Sequence, residues 1–248
     1  MKKCLLIICL FISQTGICQS GPFNDYKFIS LNPGESINHI DSIEALIYHF
    51  SGGECENFIN SINSNPQLKE IQLKNPPDVA VQFILNSEHL TDLNTLFIFG
   101  FGYDSLVVTP RMKLKHIWVY SEMIKSFELV GDSLHALEQL QISMPELTEW
   151  KIIEDLNKLE YLELIAPKLS SFPLFQMSNV GWLSVYCSLN QVPPVFCQLE
   201  KIQLLTFNNY NEIKLPRCFR KRIKKSHYYN VEIKSSKDGE IIYQKISK

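Results

Sequence analysis

The chain has 248 residues, 24 basic against 26 acidic, and a mean hydropathy of −0.05. That near-neutral balance gives no electrostatic reason to expect nucleic acid or a membrane surface as the main partner. Beyond the first segment, no apolar run reaches the ~18 residues a membrane-spanning helix needs, so no transmembrane segment is expected.

Residues 1–18 carry Lys2 and Lys3, then the apolar run Leu5–Ile12, then a short stretch of small and polar residues. This order is that of a secretory signal peptide, too short to anchor in a bilayer. Cleavage before Gln19 would leave Gly16 and Cys18 in the small-residue positions the cleaving enzyme reads. The alternative, acylation at Cys18, is disfavoured because Ile17 stands where a lipidated cysteine wants a small neighbour. The expectation is export to the periplasm, the cell surface or the medium. Removal of the segment takes two of the 24 basic residues and no acid, leaving 22 against 26 and a net charge of −4.

Residues 19–67 read as an N-terminal segment and helical cap. Asp41-Ser42-Ile43-Glu44 before Ala45-Leu46-Ile47 looks like a helix start with an acidic first turn. A second helix is expected after Gly52-Gly53, with Phe58, Ile59 and Ile62 on its inner face before Pro66.

Between residues 68 and 205 the pattern apolar-x-x-apolar-x-apolar occurs seven times. The copies are Leu68-x-x-Ile71-x-Leu73, Leu93-x-x-Leu96-x-Ile98, Leu114-x-x-Ile117-x-Val119, Leu137-x-x-Leu140-x-Ile142, Leu159-x-x-Leu162-x-Leu164, Val180-x-x-Leu183-x-Val185 and Leu199-x-x-Ile202-x-Leu204. Their first residues lie 25, 21, 23, 22, 21 and 19 apart. A period in the low twenties marks a solenoid, in which each unit buries its apolar face only against its neighbours. The closing apolar-x-apolar alternates as a half-buried strand does, so Leu73, Ile98, Val119, Ile142, Leu164, Val185 and Leu204 are expected to face inward in stacked rows. Ile124-x-x-Phe127, Leu147-x-x-Trp150, Leu169-x-x-Phe172 and Leu189-x-x-Val192 would fill the interior where the chain leaves each strand. Pro173 and Pro193 follow directly, and Leu215-Pro216 repeats the corner. Apolar residues three apart come next, Ile153, Leu156, Leu159 and Leu162 in one unit and Phe196, Leu199 and Ile202 in another, which suits a short helix or 3₁₀ turn.

The motif spacing with its leucine-proline corners resembles the leucine-rich repeat family over roughly residues 58–225. The resemblance implies an α/β solenoid: an arc with a parallel sheet on its concave side, short helices or 3₁₀ turns on its convex side, and the repeat region proper at residues 68–225. The family places an asparagine nine positions into each unit. Here those positions hold Pro76, Phe101, Glu122, Pro145, Pro167, Ser188 and Phe207, so irregular corners are expected. The last segment, residues 226–248, reads as a hairpin cap, because Val231-Glu232-Ile233 and Ile241-Ile242-Tyr243 flank Lys237-Asp238-Gly239.

Cys55, Cys187, Cys197 and Cys218 remain after removal of residues 1–18. Cys197 and Cys218 lie 21 residues apart, close to one repeat, so a bridge between adjacent units is one reading and small apolar filler is the other. No Cys/His spacing points to a metal, and no cofactor is expected. Six histidines are scattered without partner spacing, and no nucleophile elbow, zinc helix, phosphate loop or calcium loop occurs, so no enzyme activity is expected. Six basic residues between Arg217 and Lys225 read as a solvated cap, the usual role of a charge run.

The positions alternating with the inward rows carry the functional expectation. Reading along the units they are Glu70, Gln72, Lys74; Thr95, Phe97, Phe99; His116, Trp118, Tyr120; Gln139, Gln141, Ser143; Tyr161, Glu163, Ile165; Trp182, Ser184, Tyr186; and Lys201, Gln203, Leu205. The aromatics among them, Phe97, Phe99, Trp118, Tyr120, Tyr161, Trp182 and Tyr186, with His116, are the candidate ligand contacts. Rings on an open face are costly to leave wet and are enriched at binding sites. Cross-strand packing of rings on adjacent strands is the competing explanation. The family resemblance implies a recognition protein binding a protein or peptide. A glycan ligand is the alternative, recognised by exposed ring planes lying parallel along a groove with Gln, Glu and His beside them. A structural envelope component with no specific ligand is the third reading.

Overall fold

The computed structural model describes residues 28–36, 43–52, 55–189, 191–199, 204–209, 216–218, 221, 230–237 and 240–247. The expected signal peptide, Cys18 and its neighbours lie outside these residues.

Each apolar-x-apolar motif forms a strand, and the strands join into one long sheet. They are β1 (Phe28–Leu31), β2 (Ala45–His49), β3 (Glu70–Lys74), β4 (Thr95–Phe99), β6 (His116–Tyr120), β8 (Gln139–Ser143), β10 (Tyr161–Ala166), β11 (Trp182–Cys187), β12 (Leu204–Asn209), β13 (Asn230–Lys237) and β14 (Glu240–Ser247). The spatial order is β1-β2-β3-β4-β6-β8-β10-β11-β12-β13-β14. Every neighbouring pair is parallel except β13 with β14, which form the expected antiparallel hairpin against β12. The protein is therefore mainly a parallel sheet with few helices, an α/β fold.

Register explains the rows. Leu46, Ile71, Leu96, Ile117, Leu140, Leu162 and Leu183 stand opposite one another, and all are fully buried. Two residues on, Tyr48, Leu73, Ile98, Val119, Ile142, Leu164 and Val185 form a second buried row. Because side chains alternate across a strand, a slip of one residue would expose both rows. At the strand entry one carbonyl accepts two N–H groups of the next unit: Glu44 from Lys69 and Glu70, Lys69 from Asn94 and Thr95, Asn94 from Lys115 and His116, and so on to Glu160.

The structure corrects the N-terminal cap. Residues 45–49 are a strand, not a helix, and the long sheet extends two strands further than the seven motifs. Ile43-x-x-Leu46-x-Tyr48 is the repeat pattern with tyrosine in the last apolar place. Its Ile43 and Leu46 are three apart, a spacing shared by helix and motif alike, so the local signal was ambiguous and pairing with β3 decided it. The second helix is present as α1 (Glu56–Asn63), with Phe58 and Ile62 buried and Ile59 packed against the core.

The layer facing the long sheet differs from the expected short helices. It holds α1, then α2 (Asp78–Leu85), then a second parallel sheet of β5 (Ser105–Val108), β7 (Ser126–Leu129) and β9 (Glu149–Ile152). These segments alternate with period two: Leu106, Val108, Phe127, Leu129, Trp150 and Ile152 are buried. On one side Gln82 of α2 donates its side-chain N–H to the Val107 carbonyl at 3.3 Å. On the other side the next unit presents Pro173, 22 residues after Lys151, which has no N–H to extend the ladder. The 3₁₀ turns appear at Asp132–Ala136 and Pro194–Gln198. The segment carrying Ile153, Leu156 and Leu159, expected as a short helix or 3₁₀ turn, forms neither; Ile153 is 62% exposed, whereas Leu156 and Leu159 are buried.

The corners lack an asparagine ladder and use other devices. Asn75 and Gly100 take positive φ (54° and 71°) where β3 and β4 end. The Ser121 hydroxyl donates to the Phe101 carbonyl at 2.7 Å and that of Ser188 to the Pro167 carbonyl at 2.5 Å, each bridging adjacent units. Cys197 and Cys218 form a disulfide with Cα atoms 5.7 Å apart. Phe127, Trp150, Phe172, Phe175 and Phe196 line the interior of the facing layer, with Trp150 edge-on to Phe172 at 5.0 Å.

The last motif is also corrected. Leu204 pairs with Trp182, Leu205 with Leu183 and Phe207 with Val185. The strand thus starts three residues later than expected, and the working pattern is Ile202-x-x-Leu205-x-Phe207, 22 residues after that of Val180. Leu204 therefore occupies the register of the open-face position Trp182, not of Val185. Lys201 and Gln203 lie outside the described residues, as do the Asp238-Gly239 turn and most of the basic run; its Arg217 and Lys221 are exposed.

Candidate functional site

The open face of the long sheet is built by the alternate residues of each strand. Strand register sets them in three rows, of which the first runs Glu70, Thr95, His116, Gln139, Tyr161, Trp182. The second runs Gln72, Phe97, Trp118, Gln141, Glu163, Ser184, and the third Lys74, Phe99, Tyr120, Ser143, Ile165, Tyr186. All eight expected contact residues lie on this face, but in two separate ring clusters. The strand β8, carrying Gln139, Gln141 and Ser143, runs between them.

The first cluster is Phe97, Phe99, Trp118 and Tyr120. Phe97 meets Trp118 edge-on, with centroids 4.5 Å apart at 85°, and lies parallel to Phe99 at 6.1 Å. That T-shaped contact is the preferred aromatic geometry and adds to area burial. Phe97 is only 4% exposed, so it backs Trp118 and offers almost no surface of its own. Phe99, Trp118 and Tyr120 are half-buried, and the Tyr120 hydroxyl donates to Glu122 at 3.1 Å.

His116 borders this cluster. Its Nδ1 lies 3.0 Å from the Thr95 hydroxyl, which in turn donates to Asn94 Oδ1 at 2.8 Å. With the hydroxyl proton directed at Asn94, Nδ1–H is the donor to Thr95. Burial, helped by Lys115 and opposed by Glu138, lowers the His116 pKa, so the ring is neutral at pH 7. Next along the row stands Glu70, only 6% exposed, accepting from Gln72 Nε2 at 2.7 Å. Burial raises its pKa and the Gln72 hydrogen bond opposes the shift. The pattern placed Glu70 and Thr95 on the open face but carried no sign that both would be covered there.

The second cluster is Tyr161 and Trp182, with centroids 5.6 Å apart at 27°, close to parallel. Trp182 is 42% exposed and Tyr161 half-buried. The Tyr161 hydroxyl donates to Glu163 Oε2 at 3.2 Å, and burial together with Glu163 raises its pKa. Tyr186 is half-buried one row away. Neither cluster holds a nucleophile paired with a base, and no group of three or more His, Cys, Asp or Glu that could hold a metal occurs among the described residues. Nor is any helix among them long and apolar enough to cross a membrane.

No family model, no curated protein and no solved structure matches this chain.

Proposed function

We propose that this chain is an exported, non-catalytic recognition protein of the leucine-rich repeat type that binds a protein or peptide on the open, concave face of its long sheet. The observation that carries the reading is the patch of half-buried rings Phe99, Trp118 and Tyr120 on the adjacent strands β4 and β6, with Phe97 packed edge-on against Trp118. A rigid apolar patch of this kind loses little side-chain entropy on binding, which is why aromatic anchors dominate interface energetics. The solenoid reading is supported by parallel strands that recur about every 22 residues in fixed register and by a core shared between the long sheet and the facing layer. Export is supported by Lys2-Lys3 and the apolar run behind them.

The test begins with capture of ligands from the native envelope fraction by the full chain. Affinity for the captured protein is then compared for Trp118→Ala and for His49→Ala, a substitution three strands away on the same face. Loss of about 2 kcal/mol or more in the first only, with both melting curves near wild type, supports the patch. Unchanged affinity of folded Trp118→Ala would mean that the rings serve cross-strand packing and that the reading is wrong. Mass spectrometry of the exported protein should find an N-terminus between residues 17 and 21.

A further inference from the structure

The two ring clusters on the open face are built differently. Phe97 and Trp118 meet edge to face with one ring buried, a packing arrangement that hides ring planes. Tyr161 and Trp182 lie at 27°, and Trp182 keeps 42% of its surface. At that spacing the rings partly cover one another, and Trp182 is the one that offers an exposed apolar platform.

Polar groups surround that platform on the same face. Gln139 stands opposite Tyr161, Gln141 opposite Glu163, and Ser184 opposite Glu163 on the other side. Glu163 Oε2 accepts a hydrogen bond from the Tyr161 hydroxyl at 3.2 Å, which orients the carboxylate and leaves the phenol oxygen as an acceptor. Among the described residues, the side chains of Gln139, Gln141 and Ser184 make no hydrogen bond.

We infer that Tyr161, Trp182 and Glu163, with Gln139, Gln141 and Ser184, form a carbohydrate subsite for a neutral pyranoside. A pyranose ring with equatorial substituents has a flat C–H face that suits the exposed surface of Trp182, which Tyr161 holds in place by stacking on it. Its rim of adjacent hydroxyls suits planar carboxylate and amide groups, each able to meet two hydroxyls at once. Ligand sites of this kind combine apolar ring surface with a few converging polar groups. The three strands β8, β10 and β11 span two strand spacings, about 10 Å, which is the length of a disaccharide. Glu163 disfavours sugars bearing carboxylate or sulfate through like-charge repulsion. The inference goes beyond the protein-binding reading and does not depend on it, because the residues are separate from Phe99, Trp118 and Tyr120.

The test is titration of the full chain with cellotetraose, chitotetraose and maltotetraose at millimolar concentrations, followed by calorimetry and ligand-observed NMR. At least one should bind. Trp182→Ala should weaken binding about tenfold or more, the loss expected when a stacking ring is removed. Glu163→Gln, which keeps the side chain's shape, should weaken it several-fold, and His49→Ala, on β2 at the far end of the same face, should leave it unchanged. Trp182→Phe keeps a ring and should retain most of the affinity, which separates stacking from a folding defect. Binding of none of the three sugars, or equal binding by wild type and Trp182→Ala, overturns the inference. If Trp182→Ala instead loses the protein ligand while no sugar binds, the platform belongs to the protein surface: the carbohydrate inference fails and the recognition reading stands.

Discussion

Leu162 is the position at which the stacked-row architecture can be measured most directly. Its side chain is fully buried on β10, between Leu140 of β8 and Leu183 of β11, and both of those are fully buried too. Leu162→Ala removes three carbons from the middle of a row that cannot collapse without breaking strand register. The transfer loss and the residual cavity together should cost about 2–5 kcal/mol. Incomplete relaxation puts the value in the upper half of that range. For a chain of this size the midpoint of thermal unfolding should fall by about 7–20 °C. Urea denaturation followed by tryptophan fluorescence reads the same quantity, and the slope against urea should stay constant if only stability changes. Glu163→Ala, one residue along on the open face, serves as the control and should shift stability by about 0.5 kcal/mol or less. A loss under about 0.5 kcal/mol for Leu162→Ala would mean that the site is not close-packed and would refute the row argument.

Three further outcomes are expected. Glu70 has a pKa raised by burial, so its ionisation destabilises the fold as pH rises from the ordinary carboxylate value through the folded-state value. Glu70→Gln, which can still accept from Gln72, should therefore gain stability over wild type at pH 7 and lose that advantage at pH 3; an advantage independent of pH would refute the assignment. Cys197→Ser with Cys218→Ser opens a loop of 21 residues and should cost about 3 kcal/mol by the chain-entropy relation, read from urea midpoints with and without reductant. Gly100→Ala should cost about 1–2 kcal/mol, because φ is +71° and a Cβ would meet Asn75 Oδ1 at 2.2 Å, so that the Asn75 side chain must swing away; a neutral result would mean that the corner is free to rearrange.

The inward rows were legible because burial in a parallel stack imposes one chemistry on each position. A charged residue in place of Ile71 or Leu140 would be buried against both neighbours, so the pattern is kept strictly. The same strictness did not extend to the ends. Tyr48 stands where the other units have an aliphatic residue, and it fits because Phe50 and Phe58 pack on its ring at 4.7 and 5.1 Å. At the other end, Leu199, Ile202, Leu204 and Leu205 offer two overlapping matches to one spacing. Pairing with β11 selects the later one, and nothing local distinguishes them. The facing layer was not legible in the sequence, for a related reason. Leu106-x-Val108 and Phe127-x-Leu129 do alternate, but four-residue strands become visible only when a neighbour supplies the ladder.

The open face was legible in its membership and not in its surface. Alternation placed Phe97, Trp118, Tyr161 and Trp182 on one side of the sheet, and all four are there. Which rings present surface depends on their angles to one another, and that is set by rotamers that spacing cannot encode. Phe97 sits between Gln72 and Trp118 and is covered by the ring that crosses it edge-on. Trp182, by contrast, lies beside Tyr161 in a near-parallel stack, so one ring covers only part of the other. The two arrangements have different consequences. The edge-to-face pair fixes the position of Trp118, and under the proposed reading it would serve as an anchor for a shape-matched apolar group. In the near-parallel pair Trp182 keeps the exposed surface, and if a flat apolar ligand face docks there, selectivity would fall to the neighbouring Glu163 and Gln141. Specificity at the first cluster should therefore respond to ring size at position 118, and at the second to the polar residues on β8 and β10.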